Sequence, residues 1–152
     1  MNPTPTLRPY VPADQEPTIE LWRRTWQAAY PTIDFAARTE WWRARWLDEL
    51  LPVATVTVAE ADGQMIGFVT VDPKTGYLDQ IVVAPEAWGS GGAQALVAEA
   101  KLISPNGLDL HVNADNARAI RFYEKHGFVV TGPDKNPISG KPVLKMSWKP
   151  RT

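Results

Sequence analysis

The chain has 152 residues, room for one hydrophobic core and too few for two ordinary domains. Hydrophobic residues at 44% and charged residues at 22% exclude a disordered tail or a fibrous repeat, and 16 Lys+Arg against 17 Asp+Glu leave no global positive field, which argues against nucleic acid as a partner. The lack of cysteine excludes a disulfide framework, a thiolate metal site and a cysteine nucleophile; with neither a secretion signal nor a run of about 18 apolar residues, the expectation is a cytoplasmic protein with no membrane partner.

Thr6 to Arg8, between prolines, read as a short first strand. Asp14 is the expected cap of a first helix that admits Pro17 in its first turn. Ile19, Trp22, Trp26 and Ala29 or Tyr30 recur at three- or four-residue steps and give that helix one apolar face, ended by Pro31. Asp34 is the expected cap of a second helix running to about Leu51, with Phe35, Trp42, Trp46 and Leu50 on one stripe and Trp41 beside it. Arg38, Arg43 and Arg45 are expected on its solvated face, where one could hold an acceptor carboxylate.

From Val53 the pattern alternates. Val56 and Val58 flank Thr57, Asp62-Gly63 turns the chain into Met65 to Val71, and Asp72 to Gly76 form the next turn. Tyr77 to Ala84 make another strand, which runs through Pro85 into a glycine loop and a helix from Ala93 to Ile103. Leu108 to Val112 read as a strand; Asp115 or Asn116 caps a helix ending near His126, and Gly127 suits its left-handed terminus. Phe128 to Thr131 and Pro142 to Trp148 finish as strands. The order is strand, two helices, three strands, helix, strand, helix, two strands: a mixed α/β single domain over residues 1–152, not a doubly wound one.

A strand, a glycine-rich loop and a helix N-terminus together offer unobstructed N–H groups and the positive end of a helix dipole, an arrangement suited to phosphate. Neither the dinucleotide fingerprint G-x-G-x-x-G nor the G-K-[ST] ending of the P-loop is present. The loop Trp88, Gly89, Ser90, Gly91, Gly92, Ala93 instead resembles the acyl-CoA signature of the GNAT superfamily of N-acetyltransferases. The later run Asn116, Ala119, Tyr123, Gly127, Phe128 is similar to that family's N-x-x-A-x-x-x-Y-x-x-x-G-F helix. The resemblance covers nearly the whole chain. It implies the GNAT fold, an α+β architecture with a mixed central sheet of six to seven strands, splayed at the cofactor site, and about four helices. It also implies acetyl-CoA or another acyl-CoA as cofactor, no metal, and a homodimer as one possible assembly.

The resemblance implies roles for particular residues. Tyr123 matches the general acid; Asn116 would bind the pantetheine arm; a backbone N–H among Ile81, Val82 and Val83 would polarise the thioester carbonyl. Trp88 stands where the family usually carries Arg or Gln, and Ser90 where many members carry a second basic residue. Backbone donors and the helix dipole remain, with Arg118, Arg121 or Lys125 as cations to supplement them.

The acceptor amine must lose a proton before it attacks, and an alkyl amine of pKa about 10.4 is protonated at neutral pH. His111, at the position of a glutamate in ribosomal-protein alanine acetyltransferases, is one candidate base and Asp79 another. Trp26, Tyr30 and Phe35 are candidates for an aromatic acceptor pocket. The expected function is transfer of an acyl group to a primary amine of a small molecule, an amino acid or a peptide N-terminus. The alternative is a non-catalytic GNAT-fold acyl-CoA sensor or interaction module.

Overall fold

A computed structural model describes residues 5–137 and 139–150. Among them the chain forms β1 (Thr6–Pro9), α1 (Gln15–Ala29), α2 (Thr39–Arg45), β2 (Thr55–Ala61), β3 (Gln64–Asp72), β4 (Tyr77–Val83), α3 (Gly92–Ile103), β5 (Leu108–Asn113), α4 (Ala117–Lys125), β6 (Val129–Lys135) and β7 (Pro142–Trp148). The element order is the one expected. The strands make one mixed sheet in the order β1-β2-β3-β4-β5-β7-β6, antiparallel except where β4 meets β5.

The tryptophan-rich first third covers one face of this sheet. Trp22 of α1 stacks on Trp42 of α2 with ring centroids 4.6 Å apart, Trp42 meets Trp46, and Trp46 lies edge-on to Phe68 of β3 at 5.5 Å. Trp22, Trp42 and Trp46 are buried in the core, whereas Trp41 is exposed, as the helical period requires of a residue beside the stripe. On the other face α3 packs closely: a Cβ built on Gly67 of β3 would lie 2.7 Å from the Val82 carbonyl oxygen and 3.1 Å from Leu96, so this glycine permits the close approach.

Three local expectations differ from the structure. Asp14 does not cap α1; its carboxylate takes a bidentate pair of 2.7 Å bonds from Arg8 and a third from the Val11 N–H, an arrangement strong enough to draw the side chain from the helix end. The second helix is segmented, with a 3-10 turn at Ala36–Arg38 and a π turn at Trp46–Leu50 that follows α2 directly. The last hairpin is longer than expected, since β6 continues past a register shift near Thr131 to Lys135.

Candidate active site

The site begins with a one-residue irregularity in β4. Val71 pairs with Leu78 and Thr70 with Gln80, so Asp79 has no opposite number on β3 and forms a bulge. A bulge bends its strand, and the bend falls where β4 parts from β5. Among the described residues Tyr77 and Asp109 are the sole paired positions between these two strands, tied by the Asp109 N–H to the Gly76 carbonyl at 2.9 Å. Beyond that point the sheet is split into a V.

The split leaves one edge of β4 without a partner strand. The Ala84 N–H donates to the Ile66 carbonyl at 2.7 Å, and in an antiparallel ladder the same side recurs every second residue. Val82 therefore turns its backbone to β3, while Ile81 and Val83 turn N–H and C=O into the gap. The Val83 carbonyl is already engaged: it accepts the indole N–H of Trp88 at 2.8 Å.

The loop after β4 completes a cradle. Gly89 and Gly91 have φ of 82° and 91°, a region that side chains with a Cβ rarely adopt, and Gly91 leads directly into α3. No side chain caps α3, so its first-turn N–H groups lack intrahelical partners and point out of the helix end. The Ser90 hydroxyl oxygen is buried with no hydrogen-bond partner among the described residues. Arg118, in the first turn of α4, lies 4.9 Å from the centre of the Trp88 ring. The two residues thus bring a cation to the position where Trp88 alone offers none.

These pieces line one cleft of about 620 Å³ between α1 on one side and the starts of α3 and α4 on the other. Its walls include Ile81, Val82, Val83, Trp88, Gly89, Gly91 and Ala93, together with Asn116, Arg118 and Tyr123 from the α4 region and Trp26 and Tyr30 from α1. Gly92 is buried behind the loop. Tyr123 reaches the cleft from the core; its hydroxyl has no hydrogen-bond partner among the described residues, and burial pushes its pKa above the ordinary value. Asn116 caps α4, accepting from the Ala119 N–H at 3.1 Å, which leaves its amide NH₂ for other partners. The Tyr30 hydroxyl accepts from Asn113 at 2.9 Å and donates to Asp115, and so ties the end of α1 to the far arm of the V. An extended chain with a phosphate-bearing end fits this combination: unpaired strand edge, uncapped helix, positive-φ glycines and an unpaired guanidinium.

Asp79 and His111 lie elsewhere, against the α2 face. A second cavity of about 470 Å³ is lined by Arg45, Glu49, Thr70, Asp72, Tyr77, Asp79 and Pro137, among others. Both Asp79 oxygens accept from the same Arg45 nitrogen, at 2.6 and 2.9 Å. His111 is held at both ring nitrogens, Nδ1 by the Tyr77 hydroxyl at 2.7 Å and Nε2 by Asp134 at 3.1 Å. Burial is the main cause that pushes the Tyr77 hydroxyl up to about 12, with the Asp79 charge adding to it.

Residues 16–128 match the family model described as Acetyltransferase (GNAT) family. The chain belongs to the GNAT acetyltransferases. It is 33% identical over 128 residues to the peptidyl-lysine N-acetyltransferase YjaB of Salmonella typhimurium, covering 84% of this chain and 85% of that protein. It is 32% identical to a mycothiol acetyltransferase of Pseudarthrobacter chlorophenolicus, covering 86% of this chain and 46% of that longer one. The fold is shared with the PaiA N-acetyltransferase of Thermoplasma acidophilum, solved in complex with coenzyme A, at a TM-score of 0.75 and 23% identity over 97% of this chain and 99% of that one.

Within this GNAT frame the structure brings together the loop, the β4 edge, Asn116 and Tyr123, and separates them from Asp79 and His111. Phe35, expected beside an acceptor, is instead a core residue packed against Trp22 and Trp26. Arg45, expected on a solvated helix face, turns inward to Asp79; Arg43 does stay on the surface, paired with Glu16 at 2.5 Å and with Glu40. Tyr77 and Asp134 were not singled out by the sequence, because neither stands in a motif and their contacts span 34 and 23 residues of chain.

Proposed function

We propose that this acetyltransferase moves the acetyl group of acetyl-CoA to a primary alkyl amine, with a lysine side chain in a peptide as the first acceptor to test. The observation that carries this reading is the cleft itself, in which an uncapped helix start, an unpaired strand edge and a partnerless tyrosine hydroxyl line one cavity. The name of the Salmonella relative supports peptidyl-lysine as the acceptor, and the mycothiol relative keeps a small-molecule amine in the panel.

Acetyl-CoA supplies a thioester carbonyl already activated for acyl transfer. The N–H groups of Gly89, Gly91, Gly92 and Ala93, the Ser90 hydroxyl and the Arg118 guanidinium would hold its phosphates. Ile81 and Val83 would bind the pantetheine arm along the open strand edge, with the Val82 side chain beneath and the Asn116 amide opposite. Tyr123 keeps its proton on Oη at neutral pH and presents it to the departing sulfur. Trp26 and Tyr30 exclude water from the α1 side.

For the base, the contacts favour His111 over Asp79. Both oxygens of Asp79 are engaged by the Arg45 guanidinium, whereas His111 is hydrogen-bonded through Nδ1 to the Tyr77 hydroxyl, which lines the cavity. The amine enters from the α2-side cavity, where Glu49, Asp72 and Asp79 outnumber Arg45 and attract a cation.

The test is incubation of the purified protein with acetyl-CoA and a panel of lysine peptides, free amino acids and small amines, with thiol release and product mass as readouts. Transfer to lysine peptides is expected. The alternative, an acyl-CoA sensor or interaction module, would bind acetyl-CoA in calorimetry and turn over no amine.

A further inference from the structure

Tyr77 of β4, His111 of β5 and Asp134 of β6 form a hydrogen-bonded chain that starts in the α2-side cavity and ends at the protein surface. Its polarity follows from donor chemistry. A carboxylate can only accept, so the proton shared with Asp134 sits on Nε2, and the lone pair of Nδ1 is left to accept from the Tyr77 O–H. The Lys135 N–H and His111 hold the Asp134 carboxyl below its ordinary range, which keeps it an acceptor; the upward push on Tyr77 keeps that group a phenol. With its hydrogen turned to His111, the Tyr77 oxygen has its lone pairs free, and Tyr77 is the member of the chain that lines the cavity. Neither ring nitrogen of His111 is open to a substrate directly.

We propose that Tyr77 is the group that takes the proton from the acceptor ammonium, passing its own proton to His111, with Asp134 as the residue that positions the imidazole. The inference rests on the acetyl-transfer reading and gives that reaction its missing proton route. The ammonium proton moves to Oη of Tyr77 as the Oη proton moves to Nδ1 of His111, leaving a neutral amine, an intact phenol and an imidazolium. The imidazolium keeps its Nε2–H on Asp134 and, once the product has left, returns the new proton from Nδ1 through the Tyr77 hydroxyl to solvent in the emptied cavity, which resets the relay before the next turnover. The surroundings suit a transient positive charge. Asp134 faces the ring from β6 and Asp79 lies on the Tyr77 side from β4; Asp109 stands two residues earlier on β5. Lys145 of β7 stands opposite His111 in register, and Arg45 of α2 is spent on Asp79.

The experiment compares wild type with Tyr77→Phe and Asp134→Asn across pH, using a lysine peptide. At pH 7 about one lysine amine in 2,500 is neutral, and at about pH 9.5 about one in nine is, so a proton acceptor matters far less at the higher pH. Tyr77→Phe is expected to lower kcat roughly 100-fold at pH 7 with KM within about twofold, and to recover to within about tenfold of wild type by about pH 9.5. A deficit of the same size at every pH, or no deficit, would overturn the proposal. Asp134→Asn, at an exposed position, is expected to lower kcat about tenfold at pH 7 with the same recovery.

A readout independent of turnover comes from imidazole nitrogen NMR of the free protein, which has two histidines. His111 is expected as the Nε2-protonated tautomer above neutral pH, and the Nδ1-protonated form would refute the relay. Should wild type bind acetyl-CoA and acetylate no amine, the transfer reading fails on its own, while the tautomer still decides the wiring.

Discussion

Arg118 gives the most direct test of how the cofactor cleft compensates for Trp88. The guanidinium stacks on the indole and makes no ion pair among the described residues, so its charge is available to an anion in the cleft. A hydrogen bond to a charged group contributes about 1.5–3 kcal/mol, and each 1.4 kcal/mol is about a factor of ten, so Arg118→Ala should weaken coenzyme A binding about 10- to 100-fold. The indole acts only through its hold on the guanidinium and through the Val83 carbonyl. A cation–π contact at a site as open as this, with Trp88 39% exposed, contributes about 0.5–1 kcal/mol, so Trp88→Leu should cost about two- to fivefold. Calorimetric titration with coenzyme A measures both. Raising salt from about 0.1 to about 1 M shortens the screening length from about 10 to about 3 Å, so the gap between wild type and Arg118→Ala should narrow. An Arg118→Ala protein that binds within twofold of wild type at low salt would refute the argument and return the whole phosphate contact to the backbone cradle.

Further outcomes follow from the same geometry. Tyr123→Phe removes a hydroxyl with no partner among the described residues, so stability in chemical denaturation should stay within about 0.5 kcal/mol while kcat at pH 7 falls roughly 100-fold, and coenzyme A affinity should be unchanged. Asp14 is held below its ordinary pKa chiefly by Arg8, so its contribution to stability is complete above an unfolded value of about 3.9 and disappears as pH falls through the lower folded value. Asp14→Asn should therefore cost about 1–2 kcal/mol at pH 7 in urea titrations, with the difference vanishing in acid. Trp46→Ala opens a cavity at the junction of α2, Trp42 and Phe68 and should cost about 3–5 kcal/mol, read as a lowered thermal midpoint.

The parts of this protein that the sequence made legible are those whose chemistry is local. A positive φ favours glycine at the residue concerned, a cap sits at the start of its helix, and a helical stripe repeats within a few residues; hence the glycine loop, a cap at Asp115 or Asn116 that the structure gives to Asn116, Gly127 and the buried Trp42, Trp46 and Leu50 stripe were all visible. Tyr123 was visible through the family resemblance alone, as the tyrosine of the motif that Asn116, Ala119, Gly127 and Phe128 also match. Pairings made by folding were not. The expected acceptor pocket failed at Phe35 because helical period tells which face is apolar but not whether that face meets a core or a cleft. Asp79 was visible as a carboxylate in a strand, yet its capture by Arg45 joins residues 34 apart, and nothing in either neighbourhood signals it.

The bulge at Asp79 explains why these separate features form one machine. Had β4 run straight, β5 could have paired along its whole length, and the N–H groups of Ile81 and Val83 would have been consumed by a parallel ladder. The extra residue sacrifices those bonds, opens the V in which Tyr123 and the glycine loop face one cleft, and turns the Asp79 side chain to Arg45 and the opposite cavity. Tyr77, two residues before the bulged Asp79, stays paired with Asp109 and so remains beside β5, where its hydroxyl can reach His111. The proposed cofactor edge and the proposed proton relay thus begin within five residues of one strand. A change that restored regular pairing at Asp79 would have to close the cleft and move the α2-side cavity together, which under the proposed reading ties the geometry of binding to the geometry of proton removal.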